Sequence, residues 1–366
     1  MNVPAALPPL AFDPMILTAI TDGAWVVFNL SSGKDSSAAT FATMKFLDSV
    51  GHPRDRRLAI HADLGRAEWG STAAMVERIA ALAGLPLTTV RRRAGDLFAR
   101  WHQRFEAGKA RYEALETYNL IGPWSNAGLR FCTSELKAQP IGQALSRMLR
   151  GATIINVLGI RHDESEARAR TPIAKADHRF AASDNAAGTR MLVWNPIVGW
   201  SSQDVFEAHA ALGIPLHEAY TVYGSSRLSC RYCVLQSLAD QRAAAAAPEN
   251  RQALIDLVTL EARSTFSFQP TRWLGDVAPD LLPADLREAL VRAKIDARSR
   301  RLGEASLPAA LRFQRGWPPR LPTMAEARVI ADVRAQLLAR HALANLYPSP
   351  RAILARFAEL RARKAA

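Results

Sequence analysis

Apolar positions in the first two-thirds of the chain fall into short runs, each next to a helical pattern. From Ala24 to Leu30 the residues Ala-Trp-Val-Val-Phe-Asn-Leu form a run rich in β-formers, followed at once by a Ser/Gly cluster and the helical pattern Ser36 to Val50. The order strand, tight loop, helix recurs in Arg57 to Asp63 with Trp69 to Ala83, and in Pro86 to Arg92 with Asp96 to Ala107. A helical stretch from Ser134 to Leu149 precedes a further run, Thr153 to Gly159. This alternation predicts an α/β fold, a mostly parallel sheet sandwiched by helices. Residues 161 to 190 are polar and rich in Gly, Asp and Arg, and predict a long loop, a kind of segment that usually carries function or motion. Ser201 is placed to cap a helix running to about Leu212.

Past Cys233 the character changes. Leu238 to Ala366 is an Ala/Leu/Arg helical pattern broken by prolines near Pro270, Pro279, Pro283, Pro318 to Pro322 and Pro348 to Pro350. The expected division is therefore 1–238, an α/β domain, and 239–366, a basic α-helical C-terminal region. The alanine run Ala243 to Ala247 reads as plain helix, and no internal repeat is visible.

Charge sharpens that division. The 366 residues carry 47 Lys and Arg against 34 Asp and Glu, a formal net charge of +13. Residues 239–366 hold 21 basic and 13 acidic groups, and residues 1–238 hold 26 and 21, so the smaller part carries most of the surplus. Nucleic acid or another phosphate-rich partner is one reading, and arginine-rich solvated helix faces are the other. The basic tail either holds nucleic acid or mediates self-association into a homo-oligomer. Hydrophobic residues at 49% and charged residues at 22% exclude a wholly disordered or fibrous chain. The N-terminal stretch lacks a basic leader region and is broken by Pro8, Pro9 and Asp13, and no run reaches the roughly 18 apolar residues of a membrane span. With three cysteines and no disulfide framework, the expectation is a cytoplasmic protein without a membrane partner.

Ser31-Ser32-Gly33-Lys34-Asp35-Ser36 lies where the first strand ends and the first long helix begins, the place where backbone N–H groups and the helix dipole converge on an anion. Gly33 permits close backbone approach, the serines add donors, and Lys34 adds a full positive charge. The loop is neither G-x-x-x-x-G-K-[ST] nor G-x-G-x-x-G. It resembles the S-G-G-K-D-S loop of PP-loop ATP pyrophosphatases, the adenine nucleotide alpha hydrolase-like, Rossmann-like fold that includes phosphoadenylylsulfate (PAPS) reductases. Ser32 departs from the usual glycine, but a small residue remains and the loop is expected to survive. Further segments are similar in the same order: His61 to Gly65 with Asp63, Arg130 to Ile141, Gly159 to Ser165 with Arg168, and the blocks from Pro196 to Cys233 that end in C-x-x-C. The resemblance covers about residues 24 to 235.

That resemblance implies an enzyme and a site. Ser31, Ser32, Gly33, Lys34, Asp35, Ser36, Asp63, Gly159 and Arg161 would bind ATP or PAPS with Mg2+, and Lys34, Asp35, Arg161 and Arg168 would carry the chemistry. The forked guanidinium groups of Arg161 and Arg168 suit phosphate or sulfate oxygens, unless Glu164 or Glu166 engages them in surface ion pairs. Lys137 is a further candidate for the same pocket. Asp63 binds ribose or magnesium, or caps the next helix. Cys132, Cys230 and Cys233 are a candidate metal set. In relatives that carry an iron–sulfur cluster the first segment holds a Cys-Cys pair, whereas Thr133 stands at its second position here, which leaves three ligands for a 4Fe–4S cluster with one open iron. Zinc completed by His217, or unligated thiols, are the alternatives. His52, His102, His178, His209 and His341 show no ligand spacing.

Three functions compete on this basis. In the first, the enzyme adenylates an acceptor, DNA or tRNA, releases pyrophosphate and transfers sulfur from a cysteine desulfurase or other donor. In the second, it is a PAPS or adenylylsulfate reductase that releases sulfite. Reductases of that kind attack sulfur with a cysteine near the C-terminus, and no cysteine follows Cys233. In the third, it is a non-catalytic nucleotide-binding module, a reading that the presence of Lys34 and Asp35 disfavours.

Overall fold

The computed structural model describes residues 7–313 and 317–365; residues 1–6, within the stretch that lacks a basic leader region, lie outside this description. The fold is α/β. Six strands, β1 Trp25–Asn29, β2 Arg57–Asp63, β3 Leu87–Arg91, β4 Thr153–Val157, β5 Ala174–Ala176 and β6 Arg190–Trp194, form one sheet in the order β3-β2-β1-β4-β6-β5. Every pairing is parallel except β5 with β6. Side chains alternate across a strand, so helices on both faces require an apolar run without gaps. On one face Val26, Phe28, Ile155 and Trp194 meet α1 Pro14–Thr21, α2 Lys34–Ser49 and α3 Thr72–Leu82. On the other, Val27, Ile60, Ile154 and Met191 meet a helix that starts as a π-turn, Ser134–Ala138. That helix continues as α4, Gln139–Met148.

The chain runs outward from β1 to β3, then returns to the opposite side of β1 to lay down β4. Such a reversal opens a crevice at the carboxyl ends of the two strands, since their loops leave in opposite directions. The loop after β1 is Ser31–Ser36 and the loop after β4 is Gly159–Arg161, so the expected phosphate loop and the expected arginine flank this crevice. Within residues 161–190 the expected long loop holds two short helical turns, His162–Glu164 and Glu166–Ala169, and β5. The helix capped by Ser201, α5 Ser202–Leu212, packs Val205 and Ala208 on Ala38, Ala39 and Ala42 of α2.

The chain forms two compact units, drawn differently from the expected 1–238 and 239–366. One comprises 1–97 and 128–250, and the other 98–127 and 251–366. The pattern read as Asp96 to Ala107 is a helix, Leu97–Glu113, and all of it beyond Leu97 belongs to the second unit. The second unit is otherwise built from Arg251–Ser264, Ala284–Ala305, Met324–Arg340 and Pro350–Ala365, the last being helical as the arginine-rich pattern predicts. Among the described residues no helix is long and apolar enough to cross a membrane.

Glu261 organises the loop after its own helix. Fully buried, it accepts hydrogen bonds from the N–H groups of Phe268 (2.7 Å), Leu274 (2.8 Å) and Gly275 (3.1 Å). Burial pushes its carboxyl up to about 7 despite these donors. The folded state therefore holds this proton more tightly than the unfolded chain, and the associated stability is complete below the ordinary glutamate range and lost as pH rises through about 7. Unfolding midpoints are expected to fall between pH 6 and pH 8. In Glu261→Gln this pH dependence is expected to disappear, and at pH 6 the protein is expected to lose about 2 kcal/mol because one N–H then faces an amide NH2.

Candidate functional site

The loop after β1 is built by its own side chains. Gly33 is the N-cap of α2, and the Ser36 hydroxyl donates to the Gly33 carbonyl at 2.9 Å while lying 3.1 Å from the Ser31 hydroxyl. The first turn of a helix this long leaves N–H groups without intrahelical partners, and the helix dipole adds a partial positive charge there. Ser32, where the resembling motif has glycine, adopts φ +55°, in the left-handed region. Its hydroxyl donates to the Ser31 carbonyl at 2.6 Å, a local bond that helps a side chain tolerate this backbone. Ser32→Gly is expected to leave the fold intact and to raise stability by up to about 1 kcal/mol in chemical denaturation, because glycine adopts this φ without a steric penalty. A loss of stability would show that the Ser32 hydroxyl outweighs the strain.

Lys34 does not point into the crevice. Its ammonium is buried, 3.2 Å from Asp35, and sits 5.5 Å and 5.7 Å from the ring centroids of Phe206 and Tyr220. The Tyr220 hydroxyl accepts from the N–H groups of Lys34 (3.3 Å) and Leu228 (2.9 Å), and burial pushes this phenol up. Asp35 also accepts from Arg161 Nε at 2.6 Å, and Arg161 reaches on to Asp163. Lys34, Asp35, Arg161 and Asp163 thus form an alternating charge chain beneath the loop. Arg161, buried like Lys34, is engaged by Asp35 and Asp163 rather than by the Glu164 or Glu166 weighed from sequence. Gly159 lies against this chain so closely that a Cβ there would meet the Asp35 carbonyl at 2.5 Å and the Ser36 nitrogen at 2.7 Å.

Above the chain is a cavity of about 350 Å3. Ser31, Gly33, Asp35 and Ser36 line it from the loop, Gly159 and Arg168 from the segment after β4, and Lys137 and Phe180 complete the lining. Asn29 and Asn156 form its floor; they touch each other, and Asn29 donates to the Val157 carbonyl at 3.1 Å. Phe180 packs against α4, where a Cβ on Gly142 would fall 2.3 Å from its ring, and the Arg179 guanidinium lies 5.1 Å from the ring centroid. Beside it, Arg179 makes a two-pronged contact with Asp177 at 2.7 and 2.6 Å. Burial opposes ionisation of Asp177, but the Arg179 hydrogen bonds and charge hold its carboxyl below the usual range. Arg168 pairs with Glu164 at 3.3 Å, one of the two partners weighed from sequence, and still lines the cavity. Asp63 does not line it: one carboxylate oxygen caps the turn at the Gly65 N–H, 2.7 Å away.

His61 and Glu68 were not among the residues singled out from sequence, yet both line the cavity. His61 Nδ1 lies 2.9 Å from the Leu30 carbonyl and Nε2 lies 3.3 Å from Glu68. Burial pushes this imidazole down, but the Glu68 carboxylate more than offsets it, so the proton is held more tightly than usual. A smaller space of about 40 Å3 adjoins, lined by Ser31, Glu68, Lys137 and Cys230 among others. Burial, reinforced by Cys233, pushes the Cys230 thiol up to about 12, and Cys132 acts in the same direction. Burial likewise pushes Cys233 up. The three thiols therefore sense one another's charge. Among the described residues, however, no group of three or more His, Cys, Asp or Glu side chains is placed to hold a metal ion. The expected iron–sulfur or zinc ligand set of Cys132, Cys230 and Cys233 does not fit as these residues stand, and His217 is engaged by Ser71 at 2.9 Å.

A mostly parallel sheet with a serine- and glycine-built loop at its switch point, and a cavity lined by lysine, arginine and an aromatic ring, defines a nucleotide-binding α/β domain. Residues 25–235 match the profile of the phosphoadenosine phosphosulfate reductase domain, and the chain belongs to that enzyme family. A solved structure, phosphoadenylyl-sulfate (PAPS) reductase from Candida auris in its phosphate complex, is similar at 13% identity and a TM-score of 0.34, covering 57% of this chain and 82% of that one. No curated protein matches the chain in sequence.

Proposed function

We propose that this chain is a sulfonucleotide reductase: it binds an adenosine 5′-phosphosulfate, with or without a 3′-phosphate, in the switch-point cavity and releases sulfite. The carrying observation is that Cys230 shares its small cavity with Ser31 and Lys137, which also line the nucleotide-sized cavity. Phe180 offers a face for the adenine ring, and the main chain of Ser31–Ser36 offers N–H groups to the phosphate. Lys137 and Arg168 offset the phosphosulfate charge, which moves onto the leaving phosphate oxygen as the S–O bond breaks.

The chemistry needs two electrons, which two thiols supply. The Cys230 thiol gives its proton to the Glu68 carboxylate, and the sulfur attacks the sulfonate sulfur. A Cys230 thiosulfonate forms and the nucleotide departs with its phosphate. The Cys233 sulfur then attacks Cys230 and its proton leaves with the expelled sulfite as bisulfite, so that a Cys230–Cys233 disulfide remains for an external dithiol to reduce. Because burial holds the Cys230 proton tightly, turnover is expected to climb as pH rises above neutrality.

A second reading is favoured by the gathering of three thiols. In it the cavity takes ATP with Mg2+, pyrophosphate leaves from the Ser31–Ser36 loop, and sulfur passes to a nucleic-acid acceptor. That reading requires Cys132, Cys230 and Cys233 to draw into a closer ligand set than they form here. Product analysis separates the two. Sulfite from PAPS in the presence of dithiothreitol, lost in Cys230→Ser, supports the reductase. AMP and pyrophosphate from ATP, with iron and labile sulfide in anaerobically purified protein, supports sulfur transfer and overturns the reductase.

A further inference from the structure

A second cavity, of about 360 Å3, lies on the far side of α4 from the nucleotide-sized one. Lys137, Ala138, Ile141 and Gly142 of this helical segment face the first cavity, whereas Glu135, Gln139, Gln143 and Arg147 face the second. The end of β3 supplies Arg91, Arg92 and Arg93, so four guanidinium groups surround a space that holds one carboxylate, Glu135. Arg92 is the anchored member, donating to the Ala94 carbonyl at 2.8 Å and lying 4.0 Å from Glu135. The others are spent more lightly. Arg91 is 77% exposed and 3.8 Å from Asp63, Arg147 donates Nε to the Gln143 carbonyl at 3.0 Å, and Arg93 is exposed with no carboxylate partner among the described residues. Like charges held together raise the free energy of the unliganded state, and an arriving anion relieves it.

We infer that this cavity binds a phosphodiester segment of single-stranded nucleic acid. Planar guanidinium forks match phosphate oxygens two at a time, and four of them around one recess can hold the two phosphates that flank a single nucleotide. The recess, about 360 Å3, is comparable in volume to a single nucleotide. The Gln139 and Gln143 amides at its wall can meet a sugar or base edge. No residue of the proposed reductase chemistry is used, so the site stands apart from that reading.

The test uses the full chain, a short fluorescent single-stranded oligonucleotide and a salt series. In the triple variant Arg91→Ala, Arg93→Ala, Arg147→Ala, affinity at low salt is expected to fall by a factor on the order of ten or more. The log–log salt slope is expected to become shallower by about 1.4, the share of two lost phosphates on a single strand. A charge-matched control, Arg287→Ala, Arg292→Ala, Arg298→Ala on the helix Ala284–Ala305, is expected to bind as the parent does. Unfolding midpoints and binding of adenosine 3′,5′-bisphosphate are expected to be unchanged in the first variant, which separates loss of the site from loss of the fold. Equal weakening in both variants would overturn the inference, as would an unchanged slope in the first. Full displacement of the oligonucleotide by millimolar inorganic phosphate at matched ionic strength would also overturn it, by identifying a small-anion site.

Discussion

Asp35→Ala is expected to destabilise the protein by about 3–5 kcal/mol, the loss typical of removing one partner from a buried ion pair. Lys34 and Arg161 have side chains only 3% and 5% exposed, and Asp35 sits between them, so its removal leaves two cations with little water to replace it. Arg161 retains Asp163, which is 43% exposed and therefore a weaker counter-charge, and among the described residues Lys34 retains the faces of Phe206 and Tyr220. Asp35→Asn keeps the shape and loses the charge, so it is expected to fall in the same range. Urea denaturation measures both. A loss below about 1 kcal/mol would mean that the alternating chain does not hold the loop against the sheet.

The second large effect belongs to Gly159→Ala. The nearest atoms the added methyl would meet are main-chain ones, the Asp35 carbonyl and the Ser36 nitrogen, and main chain at a helix start cannot turn aside as a side chain can. Either the loop after β4 or the first turn of α2 must shift, at about 1–3 kcal/mol. The larger cost is functional, since in the proposed reaction that turn offers its amides to the phosphate, and a displacement of about 1 Å there is expected to lower turnover on the order of 100-fold. Paired measurements of unfolding and of substrate turnover check this. Normal turnover in a protein that folds normally would show that the loop and the β4 turn are not held in contact.

Much of this architecture was legible in the chain because local pattern and motif agreed. The run Trp25–Asn29, the Ser/Gly turn and the helix after it are each encoded within a few residues, and so is the second strand. What the pattern did not reveal depends on residues far apart in sequence. The motif gives Lys34 a phosphate-binding role on paper, but its direction is decided by Phe206 and by Tyr220, 186 residues away. Asn29 interrupts the apolar run Trp25–Leu30 and Asn156 the run Ile154–Leu158, and the pairing of β1 with β4 brings them together at the cavity. That interruption of two apolar runs was the available signal. The residues beyond Leu97 carry a clear helical stripe, but a stripe does not say which core it faces, and they join the second unit. Strand β6 is an apolar run that directly follows a long polar segment, and the three residues of β5 are too few for any period to register.

The central claim is the location of the nucleotide, and a crystal structure of the protein grown with adenosine 3′,5′-bisphosphate tests it most directly. The expected result is the 5′-phosphate on the main-chain N–H groups of Ser31–Ser36, with the purine against Phe180. Ordered nucleotide bound elsewhere, with the turn after β1 touching no phosphate, would contradict the account.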